Sequence, residues 1–353
     1  MTASIGYCRS QSMHCKMLAK FNLSCVSTDP APRIAPFMLI SRAEAYAPAS
    51  MANLGVGFDI LGLALDSGGD TVCAEWSDTP GVTIASITGD GGRLPLDPSK
   101  NTAGIAALAV LRMADVDRGV SLRITKGLPL ASGLGSSAAS AVAGAVAVNA
   151  LLGSPFQRSE LLAACLEGEA AVSGYHADNV GPSLLGGILL ITGVTPDSLF
   201  ALPVPERLVF AIATPGVAVP TAEARAVLPQ TVSLKMMVHQ TAYAARVVDA
   251  LHTGAIRPLA AAMEADIVVE PARKHLMPRL DACRAAAKAA GAYGLVISGA
   301  GPTLAAICDD RAVADRVRAA LMAVYDEAGL TCDARVASVH GRGAHVLSTQ
   351  IEG

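Results

Sequence analysis

Pro129-Leu130-Ala131-Ser132-Gly133-Leu134-Gly135-Ser136-Ser137-Ala138-Ala139 is the stretch on which the fold turns. Before it, Ser121–Thr125 reads as a short strand; after it, Ser137–Leu152 reads as an alanine-rich helix stopped by Gly153-Ser154-Pro155. Glycines permit positive φ and close approach of a ligand to the backbone. A helix starting directly behind them turns its free N–H groups and positive dipole end toward the loop, an arrangement that binds phosphate. Ser136 and Ser137 add hydroxyls able to reach a phosphate oxygen or a magnesium ion. No Walker A string, G-x-x-x-x-G-K-[ST], occurs. Gly133-x-Gly135-x-x-Ala138 fits a loose dinucleotide fingerprint, but the strand ends well before the first glycine and no acidic strand end follows. A structural Gly/Ser turn is the plain alternative.

Outward from the loop, strands and helices mix. Ile40–Tyr46 alternates as an opening strand that Pro48 is expected to end. Val72–Trp76 and Val82–Ile87 read as strands, and Asn101–Met113 as a helix capped by Asn101 or Thr102. Ser159–Val172 reads as a helix followed by a loop around His176, and Gly187–Thr192 as a strand. The run Leu202-Pro203-Val204-Pro205 is the best candidate boundary. Beyond it lie strands at Leu208–Ala213 and Gly294–Ser298, helices near Lys235–Leu251 and Met277–Ala290, and a last strand, helix and strand. This predicts an α+β fold in two domains.

Composition bounds the function. Hydrophobic residues make up 52% of the 353 and charged ones 16%, with net charge −3 and no basic stripe, which argues against a nucleic-acid partner. No run of about 18 apolar residues is found, so no membrane span is expected. The eight cysteines form no C-x-x-C pair and read as reduced core residues of an intracellular protein. Residues 1–37 carry Arg9, Lys16, Lys20 and Arg33 against Asp29. They look like an organellar transit peptide or, alternatively, a segment upstream of Met38 as the natural start.

The string PLASGLGSSAAS resembles the second motif of the GHMP small-molecule kinases. Pro48-Ala49-Ser50-Met51-Ala52-Asn53-Leu54-Gly55-Val56-Gly57-Phe58-Asp59 resembles their first motif in its homoserine-kinase form, and Ser298-Gly299-Ala300-Gly301-Pro302-Thr303 the third. Met51 replaces a more usual Ser or Thr, and Val56 a more usual Pro. The resemblance, from about residue 40 to the C-terminus, implies a ribosomal-protein-S5-like ATP-binding domain over 38–203 and a ferredoxin-like domain over 204–353, with ATP between them. It also implies magnesium, a cytoplasmic homodimer (plastid or another organelle if residues 1–37 are a transit peptide), and transfer of phosphate from ATP to L-homoserine in threonine biosynthesis.

A zwitterion with a hydroxyl asks for a carboxylate opposite its ammonium and guanidinium forks opposite its carboxylate. By resemblance Asp59 binds the ammonium, Arg225 in Thr221–Arg225 and Arg273 in Val269–Arg273 bind the carboxylate, and Asn53 bonds the reacting end. Ser173-Gly174-Tyr175-His176-Ala177-Asp178-Asn179-Val180-Gly181-Pro182 resembles the homoserine-kinase signature, giving His176 a substrate contact. The phosphate loop 129–139 holds the nucleotide, with Ser137 and Glu169 on magnesium and Glu167 the weaker choice. Asn53 and Asp178 are the candidate catalytic groups, although no general base is implied by the family and Asp178 is only the residue to test. Alone, each has a plainer reading: a turn-forming Asp, a solvated Arg, a structural His. The alternatives are a GHMP kinase for another alcohol, whose usual G-E-H string is absent, and a non-catalytic ligand-binding protein of the same fold.

Overall fold

Alternation decides the first strand: Ala43, Ala45 and Ala47 are buried along β1 (Ile40–Ala52) while Arg42, Glu44 and Tyr46 are partly exposed. It leads into β2 (Leu61–Ser77), β3 (Val82–Thr88), α1 (Thr102–Met113), β4 (Gly119–Thr125), α2 (Ser136–Leu151), α3 (Leu162–Ala170), α4 (Ala177–Leu185), β5 (Ile188–Ile191) and β6 (Leu199–Leu202). Then follow β7 (Val209–Pro215), α5 (Thr221–Ala226), α6 (Leu234–Thr253), α7 (Ile256–Met263), α8 (Val269–Arg273), α9 (Leu280–Ala289), β8 (Gly294–Ile297), β9 (Leu304–Cys308), α10 (Arg311–Glu327), β10 (Cys332–Ala337) and β11 (His345–Ile351). The structure, a computed structural model, describes residues 40–352, so the readings made for residues 1–37 lie outside the described residues.

Seven strands form one sheet, in the order β11-β1-β2-β4-β3 with β5 beside β2 and β6 beside β5. Four antiparallel strands form the other, in the order β10-β7-β9-β8. The fold is α+β, as expected. The chain passes between sheets after β6, in the proline-rich run read as a boundary, and β11 then returns to pair with β1. Among the described residues, no helix is long and apolar enough to cross a membrane.

One helix and one strand explain the composition. Every residue of α2 but Ser137 is buried, so its neighbours press on all sides and only small residues fit. Strand β7 is buried on both faces. Val209, Ala211 and Ala213 pack with α9 and α10, while Phe210 and Ile212 join the main core with α6 and α7. A strand covered twice reads as a continuous apolar run.

Two expectations need correction. Pro48 does not end β1: Pro48 pairs with Gly69 and Ala49 with Leu65, so the ladder shifts register there, and β11 accompanies β1 only as far as Tyr46. Proline is tolerated at such irregular positions. The segment after His176 is helical, not a loop. Pro182 inside α4 cannot donate to the carbonyl of Asp178, and Gly62 of β2 lies so close to that carbonyl that a Cβ would sit 1.9 Å away.

Candidate active site

The three motifs meet, and glycine is what lets them. Gly133 (φ 83°) packs so tightly on the third motif that a Cβ would stand 2.4 Å from the Ser298 carbonyl. Gly135 (φ 64°) approaches the first motif, where a Cβ would stand 2.0 Å from the Ser50 hydroxyl. Hydrogen bonds seal the junction: Ser298 Oγ donates to the Gly133 carbonyl (2.7 Å), Ser50 N–H to Leu134 (3.1 Å) and Thr303 N–H to Ser132 (3.1 Å). The Asn53 amide donates to the Gly299 carbonyl (3.0 Å), joining the first motif to the third. Around this junction opens a cavity of about 350 Å³.

At one end, α2 begins with no side-chain cap, and Gly135, Ser136 and Ser137 line the cavity. Its first-turn N–H groups are those that a phosphate satisfies. Ser137 Oγ donates to Glu169 Oε1 (3.0 Å), while Glu169 Oε2 is buried with no partner. Burial pushes the Glu169 carboxyl up, against the opposing pull of the Ser137 hydrogen bond and the charge of Lys126. A buried, half-satisfied carboxylate beside a hydroxyl is an oxygen donor set that suits magnesium. Glu167 instead faces outward and pairs with Arg112.

Beneath the loop lies a pair the sequence reading missed. Lys126, immediately after β4, buries its ammonium against the Asp70 carboxylate of β2. Lys126 Nζ also donates to the Ser136 carbonyl (2.8 Å) and to Ser140 Oγ (2.7 Å), and Asp70 accepts from the Gly127 N–H (3.0 Å). Burial pulls the Lys126 ammonium below the usual lysine range, with Asp70 opposing that pull. Lys126 lines the same cavity as Ser136.

The other end is made of charged side chains. Arg225 of α5 forks onto Asp59, with Nη1–Oδ2 at 3.1 Å and Nη2–Oδ1 at 2.7 Å. His176 Nδ1 stands 3.7 Å from the same carboxylate. Burial, then the charge of Arg225, lowers the His176 imidazole from its usual range, with Asp59 opposing. Arg273 is buried and donates to the carbonyls of Ala224 and Gly299, both at 2.9 Å. Burial and then Arg225 bring it down to about 10. Both guanidinium carbons lie 5.3 Å from the Phe58 ring centroid, a cation–π distance. Asn53 accepts from the Asp59 N–H (3.1 Å) and fixes that turn. Asp178, at the start of α4, is buried, and its carboxyl is pushed up to about 7 by burial first and then by Asp59.

Asn53, Asp59, Glu169, His176, Asp178, Arg225 and Arg273 therefore share one cavity with Leu130 to Gly133 and Gly135 to Ser137. Pro129, Leu134, Ala138 and Ala139 do not line it; Leu134 and the two alanines are core residues that hold the loop from behind. Leu94, Pro95 and Val172, unassigned in the sequence reading, supply an apolar lining near Asn101 and Thr102. Asn179 accepts from Ser50 Oγ (2.9 Å), tying α4 to the first motif.

Comparison with known proteins gives the family. Residues 101–187 match the GHMP kinases N terminal domain and residues 247–327 the GHMP kinases C terminal family. The chain is 40% identical over 307 residues to the homoserine kinase of Xylella fastidiosa strain 9a5c, covering 87% of this chain and 94% of that one. The crystal structure of homoserine kinase from Cytophaga hutchinsonii superposes with TM-score 0.83 at 39% identity, covering 92% of this chain and all of that one. Mevalonate kinase of L. major, at 18% identity and TM-score 0.68, shares the fold. The chain belongs to the homoserine kinase family of the GHMP kinases.

Proposed function

We propose that the chain transfers the γ-phosphate of ATP to the side-chain hydroxyl of L-homoserine, with the amino acid seated among Asp59, His176, Arg225 and Arg273. One observation carries the reading: an anion and two guanidiniums converge at one end of a cavity whose other end is the glycine-rich start of α2. A zwitterion satisfies the first end and a polyphosphate the second.

Phosphoryl transfer passes through a loose transition state, so positioning and charge neutralisation do most of the work. Backbone N–H groups from Gly133 to Ser137 hold the triphosphate, and the base stacks toward Leu94, Pro95 and Val172. Ser137 and Glu169 would hold magnesium, which supplies positive charge against the phosphate oxygens when bound. Lys126 adds fixed positive charge under the loop without waiting for a ligand. The Asp59–Arg225 fork opens for the substrate: Asp59 takes its ammonium, while Arg225 and Arg273 take its carboxylate. A carboxyl poised at about 7 suits proton transfer near neutral pH, which makes Asp178 the group to test for the hydroxyl proton.

A coupled assay of ADP release with L-homoserine, L-serine, shikimate, mevalonate and galactose tests the reading. Turnover is expected with homoserine alone. Asp59→Asn is expected to raise KM for homoserine about a hundredfold and leave KM for ATP unchanged, as for truncation of one partner of a desolvated charge pair. Turnover with another acceptor would sink the substrate assignment and leave the phosphate loop intact.

A further inference from the structure

We infer that Gln240 of α6, acting through Asp266, positions Arg273 for the amino acid's carboxylate. The inference rests on the reading of Arg273 as a carboxylate-binding arm.

Arg273 closes α8, a helix of only five residues (Val269–Arg273) with Pro271 in the middle. A single turn cannot hold itself, and proline withholds one of its N–H groups. One carboxylate supplies the missing order. Asp266 accepts from the N–H groups of Val268 (2.9 Å), Val269 (3.0 Å) and Glu270 (2.7 Å), every backbone donor from Val268 up to the proline. Gln240 then holds Asp266 from outside: its Nε2 donates to Asp266 Oδ1 (2.9 Å), and its Oε1 accepts from the Ile267 N–H (3.2 Å). His239 bonds the Ala265 carbonyl at 2.8 Å.

The surroundings say what these contacts are for. All the buried residues of α6 (Val247, Ala250 and Leu251) lie in its C-terminal half. Its N-terminal half shows Leu234, Met237 and Val238 to solvent, yet sends two successive polar side chains onto the 265–267 segment. Arg273 meanwhile uses Nε and Nη1 on two carbonyls from two different segments. Such a fork tolerates little drift, and a misplacement of about 1 Å at a binding group is enough to cost orders of magnitude. Gln240 touches no residue of the phosphate loop among the described contacts, so its effect belongs to the amino-acid end.

The test is steady-state kinetics of Gln240→Ala, Gln240→Glu, Val238→Ala and Arg273→Lys in the full chain, with thermal melts alongside. Gln240→Ala removes two hydrogen bonds and is expected to raise KM for homoserine about fivefold. Gln240→Glu keeps the shape and the acceptor for Ile267 but turns a carboxylate onto Asp266; a rise of about tenfold or more is expected. In both, kcat and KM for ATP stay within about twofold, as a lost positioning contact at one ligand predicts. Val238→Ala, on the exposed side of the same helix, changes nothing. If Gln240→Glu lowers the melting temperature while KM for homoserine stays put, or raises both KM values together, Gln240 is only a structural brace and the inference fails. An unchanged KM for homoserine in Arg273→Lys sinks the carboxylate arm itself and the inference with it.

Discussion

The two ends of the cavity are built from different materials. The phosphate end is mostly backbone: a glycine-rich turn, the uncapped start of α2, and the buried Lys126–Asp70 pair below them. The amino-acid end is mostly side chain, with Asp59, His176, Arg225 and Arg273 brought from four separate segments and two of them already paired. Backbone amides and a buried ion pair are preorganised and cost little rearrangement when charge develops. A half-buried fork of opposite charges must instead be exchanged for the ligand's own charges. In the proposed reading, the first end binds a feature common to all nucleotides, and the second selects one acceptor.

The largest effect expected from this contrast is at Glu169. Glu169→Gln keeps the Ser137 contact but loses an anion whose second oxygen has no partner. A fall in kcat of about a hundredfold to a thousandfold is expected, comparable to removal of one electrostatic stabiliser of a transition state. The same variant is expected to melt no lower than the parent without magnesium, because a buried carboxylate has been replaced by a neutral amide. A lower melting temperature together with normal kcat would make Glu169 a structural residue.

Next comes the pair under the loop. Asp70→Asn leaves the Lys126 ammonium buried without its counter-charge, and breaking a buried pair in this way costs about 3–5 kcal/mol. Asp70→Asn together with Lys126→Met is expected to recover part of that stability, since no orphaned charge remains. The double variant loses the Lys126 charge at the phosphate end, so its KM for ATP is expected to rise above that of Asp70→Asn. Chemical denaturation of the three proteins separates these outcomes; equal stability of the single and double variants would remove the pair from the account.

The same contrast explains what the sequence reading reached. A backbone site is contiguous, so Gly133, Gly135, Ser136 and Ser137 announce it within one turn of chain, and the neighbouring α2 follows from its alanines. The residues proposed to hold the amino acid were named only through resemblance, because nothing local distinguishes Arg225 or Asp59 from a solvated charge. Their mutual fork was missed for that reason. Lys126 and Asp70 were missed because partners far apart in sequence carry no shared pattern, and Asp70 is only one of three acids in β2. Gly181 and Pro182 hid α4, since both read as helix breakers while tertiary packing held the turn. The path of β1 through Pro48 depended on a register shift in its partner, which β1 alone does not encode.

The smallest effect, a pH dependence, distinguishes the two ends most directly. Burial, with Asp59 and Glu169 adding to it, raises the Asp178 carboxyl from 3.8 to about 7, and Arg225 only partly offsets this. The folded state therefore holds a proton that the unfolded chain gives up near pH 4. The stability from this group is fully present below about pH 4 and is lost as pH rises toward 7, at no more than about 1.4 kcal/mol per pH unit. Asp178→Asn removes that slope, so the variant is expected to gain stability relative to the parent between pH 4 and 7. Activity moves the opposite way. If the ionised carboxylate takes the hydroxyl proton, kcat/KM of the parent rises through about pH 7. Asp178→Asn flattens that limb and lowers kcat roughly tenfold to a hundredfold, within the range of general-base catalysis. Near-normal turnover of the variant across the whole range would leave the acceptor end with no proton-transfer role. The γ-phosphate would then receive the proton itself, and all side-chain chemistry in the molecule would reduce to holding two substrates in line.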